Sequence, residues 1–358
     1  MGMPKVIIDF IEKASTAITR SSKGIVGLIL KDSTGTFDIK SYTSFSDVVQ
    51  TEWSAINYKI LKDVFIGTPK KVFVLRIGSG EVAKTTDYVK LLRKRVDYLA
   101  YPEATGDEKT GIISYFKNVK NEYIKLILAG ADTADWENVI NCKMGYVDTD
   151  SNIVTKEEFT GRLAGILAGM SQQMSCTSYV IEEAKELIDE EIPDDYDVAI
   201  DNGQLVLVDD GEKIKIARGV NSLKTLTATK GKSFKKIKIV EGMHLINRDI
   251  KDTFENSYSG KSLNIYINKV QFLAAVNIYF KEVAKTGILD SGYSNKASID
   301  LEQQLNYIKL NPGDLTEEEI EDLEEQTIKE YNTGSYVYAK GNVKFADTME
   351  DLNFPITL

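Results

Sequence analysis

The sequence predicts an α/β fold, α+β overall: a mixed α/β sheet domain, a small β meander and a C-terminal α+β domain. Three observations carry that reading. Apolar strands alternate with amphipathic stretches from Gly24 to Ala168, the pattern of a mostly parallel or mixed sheet. Two hairpin signals fall close together around residues 195–220. Longer helical patterns follow, and each end of the chain carries a short β-prone segment.

The first such segment runs from Pro4 to Ile11. Val6, Ile8 and Phe10 fall on one face of an extended chain, Ile7 and Ile11 on the other beside Lys5 and Asp9, which reads as a strand. A small polar run, Lys13 to Lys23, then acts as a tether. Predicted strands follow at Gly24–Leu30, Lys71–Ile77, Arg95–Tyr101 and Tyr123–Leu128, with a shorter one at Asn138–Cys142. Helices are expected at Asp47–Val64, Thr86–Lys94 and Glu108–Asn121 between them. In the helix expected at Lys156–Ala168, Gly161, Ala164, Gly165 and Ala168 suit close packing against a neighbour.

Past the acidic stretch Glu182–Asp197, Asp201-Asn202-Gly203 predicts a hairpin turn between strands Asp197–Ile200 and Gln204–Val208. Asp209-Asp210-Gly211 predicts a second turn, leading into Lys213–Ala217. Phe234–Val240 is read as a strand, and helices are expected at His244–Ser257, Ile265–Lys285 and Ile299–Tyr307. Strand character returns at Ser335–Val343, and the chain closes on the apolar segment Asn353–Leu358. The expected divisions are an N-terminal arm and linker (1–23), an α/β domain (24–225) with a β-rich subregion, a C-terminal core domain (226–345) and a C-terminal arm (346–358). A strand at a chain end with unmet backbone groups needs a sheet edge, its own or another chain's.

The composition narrows the function. With 358 residues and 42% apolar content the chain can bury sizeable cores. A formal net charge of −10 argues against a nucleic-acid grip, which needs an excess of Lys and Arg. Cys142 and Cys176 lack paired spacing and read as buried thiols suited to a reducing compartment. No signal peptide is expected, and the longest apolar run, Leu163–Met170, is far short of the ~20 residues of a membrane span, so the expectation is a soluble intracellular product without direct membrane insertion.

No catalytic constellation rises above background, so no cofactor and no enzymatic activity are expected. Gly78-Ser79-Gly80-Glu81-Val82-Ala83-Lys84-Thr85 nearly fits the phosphate-cradling pattern G-x-x-x-x-G-K-[ST], but Ala83 stands where the pattern wants glycine. The bland reading is a β–α turn with a solvated Lys84; the alternative is a nucleotide-binding enzyme centred on Lys84, with Asp132 as an imaginable magnesium ligand. Asp148-Thr149-Asp150-Ser151-Asn152 begins like a calcium loop, yet Ile153 and Phe159 occupy its glycine and closing glutamate positions, which favours a polar turn. The single histidine, His244, cannot build a histidine-rich metal cluster and reads as structural.

Charge does separate along the chain. Lys230, Lys232, Lys235, Lys236 and Lys238 form a basic cluster, and Glu317, Glu318, Glu319, Glu321, Asp322, Glu324 and Glu325 an acidic one. Each reads singly as a solvated face. In a self-associating protein, Lys232, Lys235, Lys236 and Lys238 are candidate docking partners for Glu318 and Glu321 of a neighbouring copy or for a coaxial partner.

Over nearly its whole length the chain resembles the contractile tail sheath proteins of myophages and of phage-derived R-type bacteriocins, particularly the short sheaths of Gram-positive prophage-like particles. The resemblance runs from Pro4–Phe10 and Ser22–Gly27 through Gly161–Gly169 and Ala217–Leu223. It is densest from Phe234 to Asn264 and closes at Ala346–Leu352. Met170-Ser171-Gln172 departs from it, where a proline is expected. The resemblance implies a tail-sheath-like fold with exchanged N- and C-terminal β arms. The arm strands would be Val6, Ile7, Ile8, Asp9 and Phe10, and Asn353, Phe354, Pro355, Ile356, Thr357 and Leu358; the receiving strand would centre on Tyr336, Val337 and Tyr338. It also implies stacked hexameric rings of this chain around a tail tube protein, with baseplate and tail terminator proteins as further partners. Such a sheath belongs to the tail of a virion or phage-like particle assembled in the bacterial host cytoplasm. A non-contractile tail structural protein is a further alternative.

Overall fold

Burial on both faces makes strands continuously apolar, and the first one here has that character. β1 (Ile25–Lys31) is buried from Val26 to Leu30 and runs parallel to β3 (Lys71–Ile77), between them β2 (Ile39–Tyr42) and α1 (Ala55–Ile66). α2 (Thr85–Leu92), β4 (Tyr98–Ala100), α3 (Gly106–Asn118), β5 (Lys125–Ala129) and β6 (Val139–Cys142) continue the alternation. The computed structural model describes residues 17–20, 24–119 and 123–357; the expected arm strand Val6–Phe10 lies outside them.

Then come β7 (Tyr146–Asp148), β8 (Ile153–Val154), α4 (Lys156–Gly169), β9 (Ala184–Leu187), α5 (Tyr196–Asp201), β10 (Gln204–Leu205), β11 (Leu207–Asp209) and β12 (Ile214–Ile216). The main sheet has the order β10-β6-β5-β4-β1-β3-β2 and is parallel except for β2, an antiparallel edge strand that the sequence reading missed. Side chains alternate across it. Val26, Leu28 and Leu30 join one core with α1 and α4, while Ile29, Leu75 and Leu99 join the other with α2 and α3. The mixed α/β expectation therefore holds.

The close-packing face expected on α4 meets α1. A Cβ on Gly161 would overlap the Ile60 side chain, and one on Gly165 would overlap the Val64 carbonyl oxygen. The β-rich region departs from expectation in one place: Asp197–Ile200 is helical, within α5. The Asp195 carboxylate accepts from the amides of Asp197 (2.8 Å) and Val198 (3.0 Å), a cap that outweighs the strand pattern. Asn202-Gly203 thus ends a helix, and Gly203 takes its positive φ there. The second expected turn does join a hairpin, β11 to β12.

Phe234–Val240 is not a strand either. A short 3-10 turn, Lys232–Lys235, leads into α6 (Ile237–Thr253), whose Ile237, Val240, Leu245 and Ile246 are buried. The helical face, rather than the β-branched composition, decides. His244 is buried in the middle of this helix, not at its head.

By its contacts the chain forms two compact units, the described residues 24–246 with 347–357, and Asn247–Ala346 with the described residues 17–20. The boundary between the units falls inside α6, and Ile237 at the start of that helix belongs to the α/β core. The second unit continues from α6 through a π-helical turn, Phe254–Tyr258, to α7 (Tyr266–Lys285), β13 (Lys296–Ile299), α8 (Leu301–Leu310), α9 (Glu317–Glu321), α10 (Glu325–Glu330) and β14 (Ala339–Asn342). The strand expected at Ser335–Val343 is confined to β14, and β13 was not anticipated.

Candidate inter-subunit surface

β13 and β14 form a two-stranded antiparallel ribbon with the register Ala297↔Gly341. Two strands alone are marginal in water and leave two edges to be dealt with. The Asp300 amide donates to Tyr338 O (3.0 Å), so Ser298 and Lys340 form the next hydrogen-bonded pair by alternation. Ala297 therefore points its backbone groups away from β14, and there Asn277 of α7 meets them. Asn277 Oδ1 accepts from Ala297 N (2.7 Å), and Asn277 Nδ2 donates to Ala297 O (3.1 Å). One edge of the ribbon is closed by a side-chain amide. On the other edge Ala339 and Gly341 turn their N–H and C=O groups outward, and among the described residues no strand pairs with them.

The segment leading into β14 carries the predicted receiving residues. Tyr336, Val337 and Tyr338 lie just before the strand and outside any helix or strand, which places the regular ladder one step later at Ala339–Asn342. Tyr336 and Tyr338 stack at 6.1 Å with Tyr307 tilted against both. Val337 also lines a cavity of about 440 Å³ with Phe254, Tyr258, Leu263, Lys269 and Phe272. Lys269 is buried there, and burial lowers its pKa.

In the other unit, the C-terminal segment is fastened at its root and bare at its tip. Lys236 Nζ lies 2.5 Å from Asp347 and 3.3 Å from Glu350, while Arg218 reaches both Glu350 (3.4 Å) and Asp351. Thr177 Oγ1 donates to Glu350 (2.8 Å). Burial alone would raise the Glu350 carboxyl, but hydrogen bonds from Thr177 and Ser175 and the Lys236 charge hold it below its usual value. Beyond this clasp Leu352, Phe354 and Ile356 occupy every second position of a segment with no regular secondary structure and are 89%, 74% and 74% exposed. Asn353, Pro355 and Thr357 are exposed as well, and Leu358 lies outside the described residues. No strand among the described residues pairs with 353–357.

The charged candidates divide. Lys235 bonds Asp201 O (3.0 Å) and Lys236 belongs to the clasp, so both meet acids or carbonyls of their own chain. Lys238 is half-buried, and Lys232, Glu318 and Glu321 are exposed. Asn277, Arg218 and Glu350 were not anticipated as functional. An Asn inside a helix carries no signal of an edge cap, and Arg218 and Glu350 stand 132 positions apart in sequence.

The discounted motifs resolve into structure. Ala83 is buried, with its carbonyl taken by the Tyr88 hydroxyl (3.2 Å), and Lys84 is the residue before α2. Asp132 is held by Lys143 (2.7 Å) and Asn141 (2.9 Å). The Asp148 carboxylate accepts from the amides of Asp150 and Asn152, closing the turn from β7 to β8. Cys142 and Cys176 are buried free thiols.

Comparison with known proteins places this surface in context. The sequence model of the phage tail sheath C-terminal domain matches residues 229–358, which include the ribbon and the C-terminal segment. A tail sheath protein of Clostridium phage phiCD119 is 35% identical over 367 aligned residues, covering 100% of this chain and 99% of its own length. The sheath tail protein of Desulfitobacterium hafniense superposes with a TM-score of 0.68 at 16% identity, over 82% of this chain and 93% of that one. The helical sheath of the anti-feeding prophage in its contracted state also gives a TM-score of 0.68, at 10% identity, over 100% of this chain and 99% of that one. The full-length identity to the Clostridium phage protein shows that the chain belongs to the phage tail sheath protein family.

Proposed function

We propose that this chain polymerises as stacked hexameric rings around a tail tube and contracts to drive the tube through a target cell envelope. Neighbouring copies are stitched by their arms, Val6–Phe10 and Asn353–Leu358, each donated to a ribbon of another subunit. The free Ala339–Gly341 edge, opposite an edge already closed by Asn277, is the observation that carries this reading. A terminal segment paired with no strand among the described residues, with exposed Leu352, Phe354 and Ile356 at every second position, offers the side-chain period of a strand that such an edge accepts. The cavity beside Val337 offers room for an apolar arm side chain.

Each ladder hydrogen bond contributes about 0.5–1.5 kcal/mol net, and ordering each arm residue costs about 1–2 kcal/mol, so one arm binds marginally. In a closed lattice the remaining arms engage at high effective concentration, and weak links hold a tube that can still rearrange. Tube, baseplate and terminator proteins would bound the assembly, and contraction would draw on new contacts between subunits. Negative-stain microscopy of the purified chain tests the reading. Wide hollow cylinders are expected, and their loss when residues 1–11 are deleted from an otherwise folded chain; cylinders from that truncation would refute arm donation.

A further inference from the structure

We infer that the cleft at the carboxyl ends of β1 and β3 binds a hard divalent cation, Mg2+ or Ca2+, between the Asp32 carboxylate and the Asn57 amide oxygen. In the main sheet β3 lies on one side of β1 and β4 on the other, so the winding reverses at β1. Open α/β sheets bind ligands outside the carboxyl ends of their strands at such a reversal. Here the site is a cleft of about 430 Å³ lined by Lys31, Asp32, Ser33, Thr34, Asn57 and Glu103, among others.

Asn57 is 2% exposed. Its Nδ2 donates to Lys31 O (2.9 Å) and Asp32 Oδ2 (2.9 Å), which fixes the orientation of the amide. Its Oδ1 has no hydrogen-bond partner among the described residues. A buried acceptor left in that state is costly and calls for a donor or a cation. Asp32 supplies the charge. Burial would raise its carboxyl, but Asn57 and the amides of Ser54 and Thr34 hold it down at about 2, so it is ionised at neutral pH.

The cation already present is spoken for: Lys31 Nζ pairs with Glu108 at 2.8 Å. Neither Asp32 nor Glu103 has an ion-pair partner among the described residues. The groups around the cleft are therefore two carboxylates, an amide oxygen and the hydroxyls of Ser33, Thr34 and Ser54, an all-oxygen set suited to a hard cation rather than to zinc or copper.

The test titrates the full-length chain, stripped with EDTA, with Mn2+ followed by electron paramagnetic resonance. Saturable binding is expected with a Kd of roughly 10⁻⁴–10⁻³ M, competed by Mg2+ or Ca2+, together with a higher thermal unfolding midpoint in Ca2+ or Mg2+. Asn57→Leu, close in volume, should weaken binding at least about tenfold and remove that thermal shift. Thr34→Ala, at an exposed position, should weaken it several-fold in a chain of unchanged fold. No saturable binding over that range, or equal affinity in wild type and Thr34→Ala, would overturn the assignment.

Discussion

The side-chain amide of Asn277 satisfies both backbone groups of Ala297, accepting at 2.7 Å and donating at 3.1 Å, as a neighbouring strand would. The contact makes the two edges of the ribbon unequal. Replacing Asn277 by Ala strips the partners from two backbone groups of a residue that is itself buried. The expected cost is about 1–3 kcal/mol, read as a lower denaturation midpoint with an unchanged slope. A second open edge should also appear as irregular aggregates in light scattering. A variant as stable and as regular in assembly as wild type would show that the cap does not govern edge choice.

The opposite behaviour is expected at the tip of the C-terminal segment. Phe354 and Ile356 are largely exposed, so Phe354→Asp with Ile356→Asp should move the stability of the unassembled chain by no more than about 0.5 kcal/mol. Their charges would be buried once the segment joins a neighbour's ribbon, and cylinders should then be lost in negative-stain images. Circular dichroism melting of the unassembled chain separates this outcome from misfolding.

At the root of the same segment the prediction concerns acid. Glu350 and Asp351 are held below their ordinary values, Glu350 by Thr177, Ser175 and Lys236, Asp351 by Arg218. A carboxyl depressed in the folded state contributes stability that is present above its unfolded value and lost as pH falls through its folded value. The clasp should therefore hold at neutral pH and loosen as pH drops below 4.5, the ordinary value of Glu350. Limited proteolysis at graded pH would show this as cleavage near residues 347–352 that begins only in acid. Glu350→Gln should bring cleavage on at neutral pH. Resistance independent of pH in both chains would mean that the ions do not fasten the segment.

These features differ in how far the sequence discloses them. The parallel strands were readable because burial on both faces makes β1, β3 and β5 almost uninterrupted apolar runs, and Gly161 and Gly165 marked the tight face of α4. β2, with only Tyr42 buried, and β13, with half its residues exposed, lack that signal. α5 was misread because its Asp195 cap competes with an Asn-Gly turn that reads equally well as a hairpin. The apolar character of the terminal segment from Asn353 onward is local and readable in the sequence, whereas the clasp before it depends on Arg218 and Lys236 arriving from distant parts of the chain. Local pattern reports faces; it does not report which distant ions meet.

The α1–α4 contact allows a paired test of packing. Gly165 sits against the Val64 carbonyl, where a methyl group would overlap backbone atoms, and the Gly67 backbone approaches Gly165 in turn. Backbone atoms cannot rotate aside as a side chain can, so Gly165→Ala must separate the two helices. A loss of about 1–3 kcal/mol or more is expected from overpacking. Gly111 lies within α3 at an exposed position, with nothing within 4 Å of the site a Cβ would take. There the same change should stabilise the chain by about 0.5–1 kcal/mol, because alanine has fewer unfolded conformations to lose and the better helix propensity. Urea unfolding of both variants decides the matter: opposite signs support the close helix contact, and a neutral Gly165→Ala would show that the helices lie farther apart than this backbone places them.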